Sequence, residues 1–205
     1  MNEHIDIVRL RRAVRSLNDP PQPPGWNATE FPELWSDNTP LRQAAVLLPV
    51  VCREGALSML FTRRNDTMRH HAGQISFPGG AMEPIDPDAI AAALRETDEE
   101  TGIKSDFIEA FGYLDCFDTV SGFCVTPVVS LVRVGFELKP DPDEVAEVFE
   151  VPLDVILEPG CMQRSEILWH GRGREIFEFH YEGKRIWGAT AAILQNLLTR
   201  LEAHS

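Results

Sequence analysis

"QISFPGGAMEPIDPDAIAAALRETDEETGI", residues 74–103, joins a Pro-Gly-Gly turn, an alanine-rich stretch and a knot of carboxylates. Asp86 and Pro87 predict a helix start, because aspartate caps free N–H groups and proline suits the first helical position. Gly102 predicts the stop, since glycine readily takes the left-handed turn that ends a helix. Between them Ile90, Leu94, Thr97 and Thr101 mark a stripe at helical spacing that can face a sheet. Glu96 precedes Glu99 by three residues and Glu100 by four, so all three carboxylates project from one side of the last turns. Ala92, one turn earlier, leaves open space beside them.

Three like charges at a helix C-terminus repel one another and oppose the macrodipole, and Arg95 relieves only part of this. Alone, such a run reads as a solvated acidic face. The order of strand, glycine turn, helix and carboxylates favours oxygen ligands for a hard divalent cation such as Mg²⁺, which keeps waters and bridges to substrate phosphates. Gly79 and Gly80 would let the backbone approach a phosphate or offer a carbonyl to the metal.

Strand-like runs surround this segment: "RQAAVLLPVVC" and "ALSMLFTRR" before it, "FIEAFGYLDCF" and "FCVTPVVSLVRVGF" after it. "EVAEVFEVPLDVIL" reads as a short strand or bend and a helical turn. "RSEILWH", "REIFEFHY" and "RIWG" read as short strands, and residues 189–203 as a closing helix. A mixed sheet flanked by helices is the indicated α/β class. At the N-terminus, Ile7, Leu10, Val14 and Leu17 predict an amphipathic helix over residues 4–17. The five prolines of residues 18–35 then predict a surface wrap pinned by Trp26, Phe31 and Trp35. Residues 1–40 are therefore expected to be an extension packing onto a main domain of residues 41–205.

With 32 acidic against 19 basic residues the chain carries −13, which argues against nucleic acid as partner. A small phosphorylated substrate stays open if metal or local arginines supply positive charge. "MNEHIDIVRLRR" has no apolar signal core, the run "AAVLLPVVC" is too short to span a bilayer, and the final "AHS" is no peroxisomal address. Cys52, Cys116, Cys124 and Cys161 lack metal-ligand spacing and read as reduced thiols. A cytoplasmic location without a membrane partner is expected.

Arg95-Glu96-Thr97-Asp98-Glu99-Glu100-Thr101-Gly102-Ile103 resembles the second half of the Nudix box, R-E-U-x-E-E-x-G-U with U apolar, departing at Thr97. In the first half, G-x5-E-x7, 14 residues (81–94) separate Gly80 from Arg95, one more than the general pattern has. Counting forward from Gly80 puts Asp86 at the glutamate position; counting back from Arg95 puts Pro87 there. The coenzyme A pyrophosphatase branch is similar in carrying the extra residue. Leu60-Phe61-Thr62-Arg63-Arg64-Asn65, Arg69, Gly73 and Phe77-Pro78-Gly79-Gly80 resemble its L-L-T-x-R-S-x3-R-x3-G-x3-F-P-G-G, with Phe61 and Asn65 differing. "VTPVV", "VFEVPL" and "IWGATA" also look like its members, so the likeness runs from about Arg42 to Ala191.

The resemblance implies an α/β/α sandwich with a mixed central sheet and a metal-dependent diphosphatase. It implies that Glu96 and Glu100 bind Mg²⁺ or Mn²⁺, that Glu99 assists or helps activate water, that Gly80 offers its carbonyl, and that Arg95 holds the carboxylates. Coenzyme A or an acyl derivative would be split into 3′-phosphoadenosine 5′-phosphate and a 4′-phosphopantetheine. Arg64 and Arg69 suit phosphate oxygens, and the other reading of each is a basic rim beside an acidic helix. Glu144 offers a further carboxylate from an acidic loop, although a solvated charge is the plainer reading. His70 and His71 read as surface histidines and Trp187 as core or wall. ADP-ribose or another nucleotide diphosphate is the rival substrate, a non-cleaving nucleotide sensor the rival class, and a homodimer stays open.

Overall fold

A computed structural model of the chain describes residues 5–30, 40–68, 71–169 and 171–204. Phe31, Trp35, Arg69 and His70 lie outside the described residues.

Strand β1 (Arg42–Arg53) organises the main sheet. The parallel strand β7 (Phe123–Arg133) takes one of its edges, in register from Arg42↔Phe123 to Cys52↔Arg133. Its other edge is shared. β2 (Ala56–Arg64) pairs antiparallel with the C-terminal half, from Val50↔Met59 to Arg53↔Ala56. β4 (Gly79–Ala81) pairs antiparallel with the N-terminal half, from Ala44↔Ala81 to Val46↔Gly79. Beyond Met59, β2 turns to β3 (Ile75–Ser76) through Thr62↔Ser76 and Arg63↔Ile75. β1 and β2 thus splay apart, and residues 75–81 fill the fork.

β8 (Val145–Pro152) covers the outer edge of β2, while β5 (Ile108–Tyr113) and β6 (Phe117–Asp118) pair with the far edge of β7. A second antiparallel sheet follows, β9 (Gln163–Trp169), β10 (Arg172–Tyr181) and β11 (Lys184–Trp187). β1 alternates as a doubly covered strand should. Ala45 and Leu47 pack with Ala92 and Ala93 of helix α2 (Ala89–Thr101). Ala44, Leu48 and Val50 join the opposite core with Leu10 of α1 (Ile5–Ala13) and Leu194 and Leu197 of α4 (Ala189–Ala203). Helices therefore cover both faces of a mixed sheet, the expected α/β/α sandwich. Residues 145–157 are a strand and then the short helix α3 (Leu153–Leu157).

Three local expectations need correction. α1 stops at Ala13, not Leu17, because Arg15 pairs with Tyr113 at the edge of β5 (N···O 2.8 and 3.0 Å), which leaves Leu17 exposed. α2 is capped by Asp88, whose side chain accepts from Ala91 N at 2.8 Å, because Asp86 is engaged by Arg95. The predicted Pro-Gly-Gly turn is strand β4. Gly79 has φ +152°, and a Cβ there would lie 2.6 Å from Val46 Cα, so only glycine admits this approach to β1.

Candidate active site

The last turns of α2 lie against β4, and the contact is made by carboxylates. A Cβ on Gly80 would stand 2.5 Å from Glu96 Cδ, so the missing side chain is the space that Glu96 occupies. One turn on, Glu100 Oε2 accepts from Gly79 N–H at 3.3 Å. Alanines buried at positions 92 and 93 bring the helix close enough to the sheet for this to happen. Thr97 is also fully buried. Its hydroxyl donates to Ala93 O at 2.6 Å, so a polar group sits at an apolar position of the box without being left unpaired.

Arg95 is the hub of the exposed side. Its guanidinium reaches Asp86 at 2.9 and 3.1 Å, Glu96 at 2.9 Å, Glu99 at 3.0 Å and the Ala81 carbonyl at 3.2 Å. The Asp86 bonds above all, then those of Glu96, raise the arginine pKa further. Asp86, reached by counting forward from Gly80, is thus the residue that grips the box arginine. Its carboxyl is held below the ordinary value by Arg95 and by the Glu83 N–H. Two aspartates flank Pro87, and the sequence alone could not tell the cap from the clamp.

Glu100 is the most enclosed of the three glutamates, its side chain 4% exposed. Burial pushes its carboxyl up to about 8, against the opposing pull of Arg64 and the Gly79 N–H, and the charges of Glu96 and Glu144 add to the rise. Glu96 is raised by burial too, with Arg95 opposing and Glu99 and Glu144 assisting. Glu144 is exposed just before β8, and its backbone carbonyl accepts from Asn65 N at 2.8 Å. Arg64, at the end of β2, brings Nη1 to 3.8 Å from Glu100 Oε1, while its Nε is buried without a hydrogen-bond partner. Among the described residues, no three carboxylate, imidazole or thiol groups are gathered about one point as now turned. Arginines hold the carboxylates apart: Arg95 takes Glu96 and Glu99, and Arg64 faces Glu100.

Beside these groups a cleft of about 450 Å³ opens, whose lining includes Arg64, Gly79 and Gly80. The same lining holds the aromatic side chains of Trp26, Phe117, Phe123, Phe177 and Trp187. Trp187 is therefore wall, and His71, whose Nδ1 lies 2.8 Å from Gln74 Oε1, reaches the rim. Among these wall residues the sequence marks Trp187 alone as core or wall. They come from five separate segments and share no spacing that could have revealed them.

A helix of paired carboxylates lies over a glycine strand at the fork of a mixed sheet. Residues 41–169 match the NUDIX domain model. The chain belongs to the Nudix family and is a Nudix hydrolase. It is 39% identical to a protein of Photorhabdus laumondii described as "Uncharacterized Nudix hydrolase NudL", over 83% of this chain and 90% of that one. To the protein of the same description from Escherichia coli it is 41% identical over 78% and 83% of the two chains. The crystal structure of a MutT/nudix family protein from Enterococcus faecalis shares the fold at TM-score 0.50 and 19% identity, covering 85% of this chain and 69% of that one. No helix among the described residues is long and apolar enough to cross a membrane.

Proposed function

We propose that this Nudix hydrolase is a metal-dependent diphosphatase of coenzyme A or acyl-coenzyme A, releasing 3′-phosphoadenosine 5′-phosphate and a 4′-phosphopantetheine. The observation that carries the reading is the continuity of the cleft. Arg64, Gly79 and Gly80 in its lining suit a diphosphate, and the aromatic side chains that share the lining suit a long, uncharged arm attached to that diphosphate. The upstream motif through Arg64, Arg69, Gly73 and Phe77 points to the same substrate.

The residues fit a hard divalent cation. Glu100 has a carboxyl pushed up by burial, and among the described residues Arg64 at 3.8 Å and the Gly79 N–H offset its charge only in part, which is a deficit that Mg²⁺ or Mn²⁺ would fill. Glu96, Glu100, Glu99 and the Gly80 carbonyl would hold it, with Glu144 as a further carboxylate. The ion would supply charge neutralisation at phosphorus and an activated water. Arg95 then orients Glu96 and Glu99, the Gly79 backbone lines the cleft beside the substrate, and Arg64 and Arg69 bind phosphate oxygens. In this reading residues 41–205 are the catalytic domain, residues 1–40 an extension on it, and the enzyme is cytoplasmic.

Incubation with Mg²⁺ or Mn²⁺ and a panel of nucleotide diphosphate derivatives, with products identified by mass, tests it. Coenzyme A or an acyl derivative should have the highest kcat/KM. Faster cleavage of ADP-ribose would replace the substrate, and binding without cleavage of any compound would make the protein a sensor.

A further inference from the structure

Residues 25–30 precede the main sheet, yet Trp26 and Glu30 of this segment line the cleft. They are held by a buried clamp. Gly25 N donates to Asp118 Oδ2, Asp118 N donates to Asn27 Oδ1, and Asn27 Nδ2 donates to Asp118 O, each at 2.8 Å. Asn27 and Asp118 are 0% and 1% exposed, so the clamp is a paired polar network inside the protein. Trp26 N donates to Cys116 O at 2.9 Å, and Arg174 Nη1 donates to Glu30 O at 2.9 Å, which fixes the far end. A Cβ on Gly25 would lie 2.7 Å from Asp118 N, so position 25 takes only glycine.

What this clamp presents is Trp26. The indole packs on Phe117 with centroids 5.9 Å apart, keeps 37% of its surface exposed, and lines the cleft. A large apolar surface held rigid and open inside a cleft is a contact waiting for a ligand. The charges nearby say which part of a substrate it suits. The cleft lining also holds the carboxylates of Glu30, Asp118 and Glu175, and the Arg174 guanidinium there commits its Nη1 to the Glu30 carbonyl, which makes this wall a poor seat for a phosphate. The 3′-phosphate and its nucleoside are thus disfavoured here and the uncharged arm favoured.

We propose that residues 25–30 build a subsite for the arm beyond the diphosphate, and that Trp26 is its specificity-determining residue. The inference rests on the coenzyme A reading above. It assigns the pantetheine chain and any acyl group on its sulfur to the Trp26–Phe117 wall, and it gives the N-terminal segment a role in substrate choice.

The test compares hexanoyl-coenzyme A with the β-methyl ester of ADP, which keeps a diphosphate ester and lacks the arm. In Trp26→Ala the ratio of their kcat/KM values should fall about tenfold or more, chiefly through KM, and Trp26→Phe should recover most of it. A calorimetric titration of metal-free protein with S-hexanoyl-pantetheine reads the subsite without catalysis. Wild type should bind it, and Trp26→Ala should bind at least about tenfold more weakly. An unchanged ratio, or equal binding by both proteins, overturns the proposal. If a circular dichroism melt shows that Trp26→Ala loses the fold, Trp26→Gln takes its place, and arm binding by that folded variant equal to wild type overturns the proposal. If wild type cleaves no coenzyme A yet binds the arm through Trp26, the coenzyme A reading fails and the subsite stands. If it cleaves coenzyme A and Trp26 changes nothing, the subsite fails alone.

Discussion

Glu100 carries two consequences that can be separated by pH. Its carboxyl is raised to about 8 in the folded protein, chiefly by burial, against an ordinary value of 4.5. The folded state therefore binds the proton more tightly than the unfolded state does. The stability this contributes is complete below about pH 4.5 and is lost as pH rises through about 8, an effect on the order of a few kcal/mol. Melts in EDTA between pH 5 and 9 should show a decline that Glu100→Gln flattens, and parallel curves would contradict the assignment. With Mg²⁺ the same substitution should leave the fold intact and lower turnover by about 100-fold or more, since it removes a charge but little volume. Asp86 acts one step away. Asp86→Asn frees Arg95 from its strongest partner, and metal affinity by calorimetry should weaken by about tenfold, with the helix content unchanged. Affinity equal to wild type would show that Glu96 and Glu99 alone position the arginine.

Helix α2 and strand β4 meet through an absent side chain, and that contact can be filled. In Gly80→Ala the new methyl would enter the space of Glu96 Cδ, forcing the carboxylate off β4. Turnover should fall by about 100-fold, whereas Thr97→Val, which removes a hydroxyl bonded only to its own helix, should change the melting temperature by no more than about 2 °C. Retained turnover in Gly80→Ala would mean that Glu96 works from another position. The contrast shows what periodicity can convey. Residues 189–203 were readable as a helix to the residue, and β1 and β2 as long apolar strands, because each is set by its own pattern. β3 and β4 are two and three residues long, too short for a pattern, and they exist because the fork between β1 and β2 must be filled. The start of α2 was misplaced because Asp86 and Asp88 are both good caps, and only the tertiary pull of Arg95 separates them. The carboxylates were legible from spacing within one helix. The cleft wall was not, since Trp26, Phe117 and Phe177 are brought together only by the closed fold.

Taken whole, the molecule does not divide cleanly at the start of β1. Ile7, Leu10 and Ala13 of α1 are 6%, 1% and 0% exposed and belong to the same core as Leu48, Phe61 and Leu197. Arg200 Nε donates to Ala13 O at 2.6 Å, and Arg15 pairs with Tyr113. Gly112 leaves room for this approach, because a Cβ there would lie 2.8 Å from Val14 Cβ. Deleting residues 1–24 would strip these contacts and expose the groove between α4 and β5. Burying an isoleucine or a leucine is worth roughly 1.5–3 kcal/mol each, so Ile7 and Leu10 together represent about 3–6 kcal/mol. That is a large share of the roughly 5–15 kcal/mol that separates a folded domain from its unfolded chain. The truncated protein should be marginal: urea denaturation should show a midpoint less than about half that of the full chain, or no native baseline at all. Its turnover should fall with the folded fraction, because the glutamates proposed as metal ligands stand on a helix that the deletion does not touch. If instead the truncated protein unfolds within a few tenths molar urea of the full chain, the N-terminal segment is dispensable to stability.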